Sequence, residues 1–191
     1  MQEQQSLRKQ FFRFSTATVA SLMVFSLYSI VDGLFVARGV GEYAMSAVNL
    51  SVPFINLLFS IAVIFAVGTS TIIAYLLGQK NAQSANNLFS QNLVTLTVIG
   101  VTISVLVLVF TEPFALLLGA DELTLEYTIH YLQGLAPFAV CFMISYNLEV
   151  LVKTDGRPRL ALITVCVGCV TNCVLDYLAI FHWDMGIWGA A

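Results

Sequence analysis

Charged residues are scarce in this chain of 191 residues. Asp, Glu, Lys and Arg together make up 10% of it, whereas soluble domains average about 25%. Only eight residues are basic, and the net charge is −3. So few cations cannot form the basic surface that nucleic-acid binding requires, and we expect no nucleic-acid partner. With a mean hydropathy of +0.88, the composition also excludes an ordinary water-soluble domain.

Because polar interruptions are rare, the apolar runs are long, and 59% of the residues are hydrophobic. A helix that crosses a bilayer needs about 20 apolar residues, and five runs are long enough. They lack the two-residue alternation of barrel strands and therefore predict helices. The predicted spans lie at about 14–36, 48–77, 88–110, 127–152 and 160–181.

The expected fold is thus an all-α integral membrane protein with five transmembrane helices and the start of a sixth. A segment at 1–13 precedes the membrane domain at 14–191, and residues 182–191 form an outer loop leading into the sixth helix. Gly39–Gly41, Gly78–Asn87 and Asp155–Pro158 separate successive spans, as expected of turns rich in Gly, Asn, Asp and Pro.

The distribution of charge predicts the orientation. If the five spans alternate, one side collects Arg8, Lys9, Arg13, Lys80, Lys153, Arg157 and Arg159, and the other has only Arg38. That other side collects Glu42, Glu112, Asp121, Glu122, Glu126 and Asp184. Cytoplasmic loops carry an excess of Lys and Arg. We therefore expect a multi-pass protein of the plasma or inner membrane with a cytoplasmic N-terminus.

Two acids, Asp32 and Asp176, lie within apolar spans. An acid at the centre of a membrane helix costs roughly 2.5–3.5 kcal/mol, so it usually marks an ion or proton pathway. Each lies six residues before an outer polar residue, Arg38 or His182, which places both ~9 Å inside the outer boundary. Asn172 lies one turn before Asp176, on the same helix face. The carboxylates can take up a proton, and together with the Asn172 amide oxygen they can equally bind sodium.

Polar side chains form stripes on the first two spans. The residues concerned are Thr18, Ser21, Tyr28 and Asp32 on span 1, and Asn49, Asn56 and Ser60 on span 2. Together with span 5, these stripes suggest a water-filled cavity open to the outside. The candidate substrate-cavity residues are Tyr28, Phe25, Asn49 and Asn56. For the hydroxyl and amide residues, hydrogen bonding between helices, at ~0.6 kcal/mol per bond, is the favoured alternative.

Three cysteines on span 5 raise the question of a metal site. Cys166 and Cys173 are ~10.5 Å apart along the helix axis, too far to share one ion through zinc–sulfur bonds of ~2.3 Å. We therefore expect no cofactor, and no metal other than sodium as a coupling ion. Close helix packing is the better explanation of these small residues.

Several ordered segments resemble the MATE (multidrug and toxic compound extrusion) family. They are "SIVDGLFVARGVGEYAMSAVNLSVPF", "GTSTIIAYLLGQKNAQSANNLF" and "VKTDGRPRLALITVCVGCVTNCVLDYLAIFHWDMGIWGAA". The resemblance implies the N-terminal six-helix lobe of a twelve-helix antiporter, not an enzyme, that exports lipophilic organic cations against sodium or protons. It also implies that Asp32, Asn172 and Asp176 bind the coupling ion.

The resemblance runs from Phe14 to Ala191 and includes no second lobe. The expected partners are membrane lipid, cationic substrates and a C-terminal lobe from the same full-length chain or a separate subunit. By itself the chain is expected to insert but not to transport. The alternatives are a lipid-linked precursor flippase of the same superfamily and a non-transporting fragment. An intramembrane aspartyl protease is disfavoured, because neither acid lies in a Gly-x-Gly-Asp pattern.

Overall fold

The computed structural model describes residues 2–183 and 185–189, and within them all regular secondary structure is helical. The α-helices are α1 (Gln2–Gly39), α2 (Glu42–Gly78), α3 (Ala82–Val109), α4 (Thr111–Leu117), α5 (Leu125–Leu135), α6 (Ala139–Thr154) and α7 (Pro158–Tyr177). A π-helical turn at Leu178–His182 follows α7, and short 3₁₀ turns lie at Ala136–Phe138 and Gly186–Gly189.

Five helical stretches of the described chain are long and apolar enough to cross a membrane, which confirms the predicted fold class. They are Phe14–Gly39, Glu42–Gly78, Ala82–Val109, Leu125–Thr154 and Pro158–His182. Helix α1 begins at Gln2, so residues 2–13 of the predicted N-terminal segment are helical and continuous with the first span. Helix α2 begins six residues before the predicted start of span 2.

The fourth span is interrupted in its N-terminal half, where α5 ends and α6 begins around Pro137. Proline has no backbone N–H and cannot continue the hydrogen-bond ladder of a helix. The Ser104 hydroxyl of α3 lies 2.7 Å from the Ala136 carbonyl oxygen and 2.8 Å from that of Gly100. A Cβ atom at Gly100 would lie 3.1 Å from the Cα atom of Val140. The glycine therefore permits close approach of α3 to the interruption.

The helices pack in two groups. Helices α2, α3 and α6 pack on one another, and α5 packs on α2, whereas α1 packs mainly on α7. The core of the first group contains the fully buried side chains of Phe54, Leu58, Leu96, Leu132 and Met143. Large apolar side chains cover much of the outer surface, Ile64 among them with 69% exposure. Such a surface fits hydrocarbon rather than water.

A chain of buried polar side chains connects the first group. Thr69 of α2 donates a hydrogen bond to Asn92 Oδ1 of α3, at 3.0 Å. Asn92 Nδ2 donates in turn to Asn147 Oδ1 of α6, at 2.7 Å. All three side chains are buried, Asn147 completely. The alternative to these bonds is an unpaired polar group in an apolar interior, so they stabilise the contacts among the three helices.

We predict that Asn92→Ala lowers the stability of the protein in detergent. The change removes two interhelical hydrogen bonds and leaves Thr69 and Asn147 without these partners. Such bonds contribute on average ~0.6 and at most ~1.7 kcal/mol each in membrane proteins, so the expected loss is on the order of 1–3 kcal/mol. Thermal unfolding followed by circular dichroism measures it. Asn86→Ala, at an exposed position of α3, is the matched control, and equal stability of the two variants would contradict the prediction.

Candidate functional site

The packing of α1 on α7 brings the two membrane acids together. Asp32 of α1 is half-buried, and Asp176 of α7 is only 6% exposed. The two carboxylates interact electrostatically across the contact between these helices. Two like charges in an apolar setting repel each other strongly unless a cation or a proton neutralises them.

Two phenol groups lie beside the acid pair. The side chains of Tyr28 of α1 and Tyr131 of α5 each interact electrostatically with both Asp32 and Asp176. Tyr131 is buried, so a third helix contributes to the site. Sequence reasoning missed Tyr131. It lies five residues after Glu126, an acid of the predicted outer side, so counting from that acid would have placed Tyr131 ~7.5 Å inside, near the level of the acids.

Unpaired acceptor atoms mark the α7 side of the site. Asn172 Oδ1 and Asp176 Oδ2 are buried, and neither has a hydrogen-bond partner among the described residues. They belong to side chains one helical turn apart. Buried oxygens without a donor favour a bound cation, a proton or a water molecule, because each would supply the missing interaction. The two oxygens and the Asp32 carboxylate therefore have the chemistry of a small cation site.

Aromatic side chains hold α1 against α7 next to the acids. The ring of Phe35 lies 6.2 Å from that of Tyr177 and 5.8 Å from that of Phe181, measured between centroids. The second contact is edge-to-face, a favourable geometry for aromatic pairs. The π-helical turn at Leu178–His182 begins two residues after Asp176. Turns of this kind occur frequently at functional sites.

A groove of about 430 Å³ runs between α1 and α7. Among the candidate cavity residues, Tyr28 lines it. The Phe25 ring is 51% exposed and lies 6.0 Å from the Tyr28 ring, outside the lining. Asn49 and Asn56 are exposed on α2 and also lie outside the groove. The structure thus brings Tyr28, but not the other three candidates, to the wall of this groove.

The hydrogen bonds of two stripe residues differ from the prediction. The Ser21 hydroxyl donates to the carbonyl oxygen of Ala17, and the Ser60 hydroxyl to that of Asn56, each four residues earlier on its own helix. The expectation that Ser21 and Ser60 connect helices is therefore wrong. A serine hydroxyl in a helix readily reaches the preceding turn, where an acceptor is always available.

Other polar residues lie outside the acid pair. Lys153 Nζ is 2.6 Å from Glu149 Oε1, one turn earlier on α6. The His130 ring packs 5.5 Å from the Trp188 ring, which connects α5 to the 3₁₀ turn at Gly186–Gly189. Asp184, one of the predicted outer acids, lies outside the described residues.

A comparison with protein families gives a match to the MatE family model over residues 17–178. This match covers most of the chain, including both acids, Asn172 and the tyrosines. The chain belongs to the MATE family. The resemblance noted from the sequence segments is thereby confirmed.

MATE relatives match nearly the whole chain. Multidrug export protein MepA of Staphylococcus saprophyticus is 29% identical over 192 residues, which cover 99% of this chain and 42% of the relative. MepA of Staphylococcus aureus strain MRSA252 is 28% identical with the same coverage. This chain thus spans about two fifths of the length of the curated relatives it matches.

Solved MATE structures share the fold. The MATE multidrug transporter DinF-BH has a TM-score of 0.90 and 26% identity, over 95% of this chain and 41% of that one. An outward-facing multidrug resistance MATE transporter has a TM-score of 0.88 and 27% identity, over 95% and 40%. A transporter from Pyrococcus furiosus described as having a binding pocket of reverse polarity has a TM-score of 0.87 and 27% identity, over 95% and 40%.

We predict that cysteines at positions 32 and 176 can be crosslinked within one chain. In a variant without the native cysteines, Asp32→Cys with Asp176→Cys should react with a short bifunctional thiol reagent, because α1 and α7 hold these side chains within electrostatic range. Mass spectrometry of the digested protein detects the linked peptides. In the control pair, Phe25→Cys with Asp176→Cys, position 25 lies ~10.5 Å further along α1, so linkage should be far lower. Equal linkage in both pairs would contradict the arrangement.

Proposed function

We propose that this chain supplies the ion-coupling lobe of a multidrug efflux antiporter, in which a cation moves inward as substrate moves outward. The observation that carries the proposal is the pairing of Asp32 and Asp176 on adjacent membrane helices, next to the unpaired Asn172 oxygen. Burial of an acid in a membrane costs roughly 2.5–3.5 kcal/mol, so two acids at one point require a compensating role. Reversible binding of a cation provides it.

Each residue has a part in this proposed mechanism. Asp32 and Asp176 carry the negative charge that attracts the coupling ion. Asn172 offers an amide oxygen, and the hydroxyls of Tyr28 and Tyr131 can accept from a proton carrier or donate to a carboxylate. When the ion binds, repulsion between the carboxylates falls, and the contact between α1 and α7 is stabilised. Sodium and protons both satisfy this scheme.

Ion binding is coupled to substrate movement because the site with a bound cation and the empty site favour different conformations of the protein. A ligand shifts a conformational equilibrium only by its differential affinity for the two states. The empty acid pair favours a conformation in which water reaches both carboxylates, whereas the loaded pair tolerates closure around them. Alternating access in transporters uses one helical bundle moving against another. We therefore infer that this lobe works against a second lobe, from the same full-length chain or another subunit.

The proposed substrates are lipophilic organic cations. Acids face the site, and Arg38 is the one basic residue on the side predicted to be extracellular. A planar cation gains ~0.5–2 kcal/mol from an aromatic face such as that of Tyr28. The relatives named multidrug export proteins support the export of drug-like molecules. A lipid-linked precursor flippase would need cations to hold its phosphates, and the sequence offers few.

We predict that Asp32→Asn and Asp176→Asn each reduce ion-driven export of a cationic dye. The complete gene product is expressed in cells deficient in efflux pumps, and loss of dye fluorescence is followed after a pH or sodium gradient is imposed. A reduction on the order of tenfold or more is expected, which corresponds to at least ~1.4 kcal/mol of lost coupling energy. Immunoblots of the membrane fraction verify expression.

Glu122→Gln, in an exposed acid of the loop before α5, is the matched control and should retain export. An anionic dye in parallel tests the charge preference. Wild-type rates in both aspartate variants would refute the coupling role. Export of the anion without export of the cation would refute the substrate class.

We also propose that the N-terminus is cytoplasmic. In a variant without the native cysteines, Gln83→Cys places a single exposed thiol at the start of α3, and Glu122→Cys places one in the loop before α5, on the opposite side of the membrane. In intact cells a membrane-impermeant maleimide should label the cysteine at 122 and leave that at 83 unlabelled until the cells are opened. The bias of Lys and Arg toward the side of residue 83 is the reason. The reverse labelling pattern would invert the topology.

A further inference from the structure

We propose that Cys169 and Cys173 of α7 form a dithiol site that binds trivalent organic arsenic compounds. Both are free thiols of intermediate exposure, and both line the groove between α1 and α7. They lie at positions i and i+4, where Cβ atoms are about 5–6 Å apart on one helix face. Two sulfur atoms at this spacing can bond to a single arsenic atom.

The groove selects the form of ligand that can reach these thiols. Apart from Tyr28 and the two thiols, its wall consists mainly of apolar side chains, including Val24, Val31 and Val174. Its rim is exposed and apolar, with Leu27 63% exposed and Val170 64%. A neutral ligand that partitions into hydrocarbon can therefore enter, and its organic group can fill part of the 430 Å³ groove. An arsenoxide with an aryl group has these properties.

The reaction balances without an oxidant or reductant. In an arsenoxide R–As=O, the arsenic–oxygen double bond is broken and two arsenic–sulfur single bonds form, one to each cysteine. The two thiol protons join the released oxygen as one water molecule, and arsenic remains trivalent. Cys166 is not needed for this step and does not line the groove. The product should resist monothiols because both cysteines lie on one helix. When a monothiol displaces one arsenic–sulfur bond, the other still holds the arsenic close to the freed cysteine, which can bond to it again.

The position of the site predicts an effect on transport. Cys173 lies three residues before Asp176 on α7, on the same face of the helix. An arsenic adduct at Cys169 and Cys173 would hold a bulky group between α1 and α7 and restrict movement around the acid pair. This effect on transport rests on the proposed coupling function, whereas the binding itself does not.

Binding is tested with phenylarsine oxide on the complete gene product in membrane vesicles. Intact mass should increase by the mass of one phenylarsine oxide molecule less that of one water molecule. The adduct should survive excess 2-mercaptoethanol and be reversed by the dithiol 2,3-dimercaptopropanol. Cys169→Ser and Cys173→Ser should each reduce the monothiol-resistant fraction at least tenfold. Retained thermal stability of these variants shows that the substitution has not disrupted folding.

Cys141→Ser, on α6 and outside the groove, and Cys166→Ser are the matched controls and should retain the adduct. Loss of the adduct in Cys166→Ser, or its persistence in either groove variant, would overturn the assignment of the site. Dye export provides the second measurement. Phenylarsine oxide should inhibit the wild type and spare Cys173→Ser. Stoichiometric binding without inhibition would refute the effect on transport and leave the site itself intact.

Discussion

The cost of placing two carboxylates inside the membrane is the constraint on which the rest of this molecule depends. Asp32 and Asp176 interact electrostatically where α1 packs on α7, among apolar side chains that screen their charges poorly. The phenols of Tyr28 and Tyr131 and the amide of Asn172 lie beside the acids, and Tyr131 belongs to a third helix, α5. Within the described part of the chain, two acceptor oxygens on α7 have no hydrogen-bond partner. A site with unmet acceptors and repelling charges is well suited to take up and release a cation.

Helices α2, α3 and α6 form a packed core beside that site. They share an apolar core and the hydrogen bonds from Thr69 through Asn92 to Asn147. Helices α1 and α7 instead meet through the aromatic ring of Phe35, which packs against those of Tyr177 and Phe181. Hydrogen bonds of buried amides are directional and costly to break, whereas apolar contacts can slide. Movement coupled to ion binding is therefore expected at α1 and α7 rather than within the three-helix core.

Particular residues show how far sequence reasoning reached. The acids were identifiable because a charged residue within an apolar run has a large free-energy cost of burial in a membrane. Asp32 lies six residues before Arg38 and Asp176 six before His182, which suggested that both acids lie at the same depth. Tyr131 was missed because a tyrosine near a membrane boundary is ordinary in composition. The buried amides Asn92 and Asn147 were missed for a related reason. Asn92 follows Asn86, Asn87 and Gln91 on α3, and Asn147 lies two residues before Glu149 on α6. Only their contact distinguishes the two buried amides from interfacial residues.

The number of spans and the helical class follow from the amino-acid sequence alone, because hydropathy over about 20 residues is a local property that decides which segments cross a bilayer. The family follows from the ordered sequence segments that resemble it. The sequence also determined which two acids lie at a similar depth. Only the tertiary structure decided that Tyr28 borders the α1–α7 groove while Asn49 and Asn56 lie exposed on α2. The rotation of each helix about its axis is set by the fit of side chains against neighbouring helices, and periodicity within a uniformly apolar helix does not specify it.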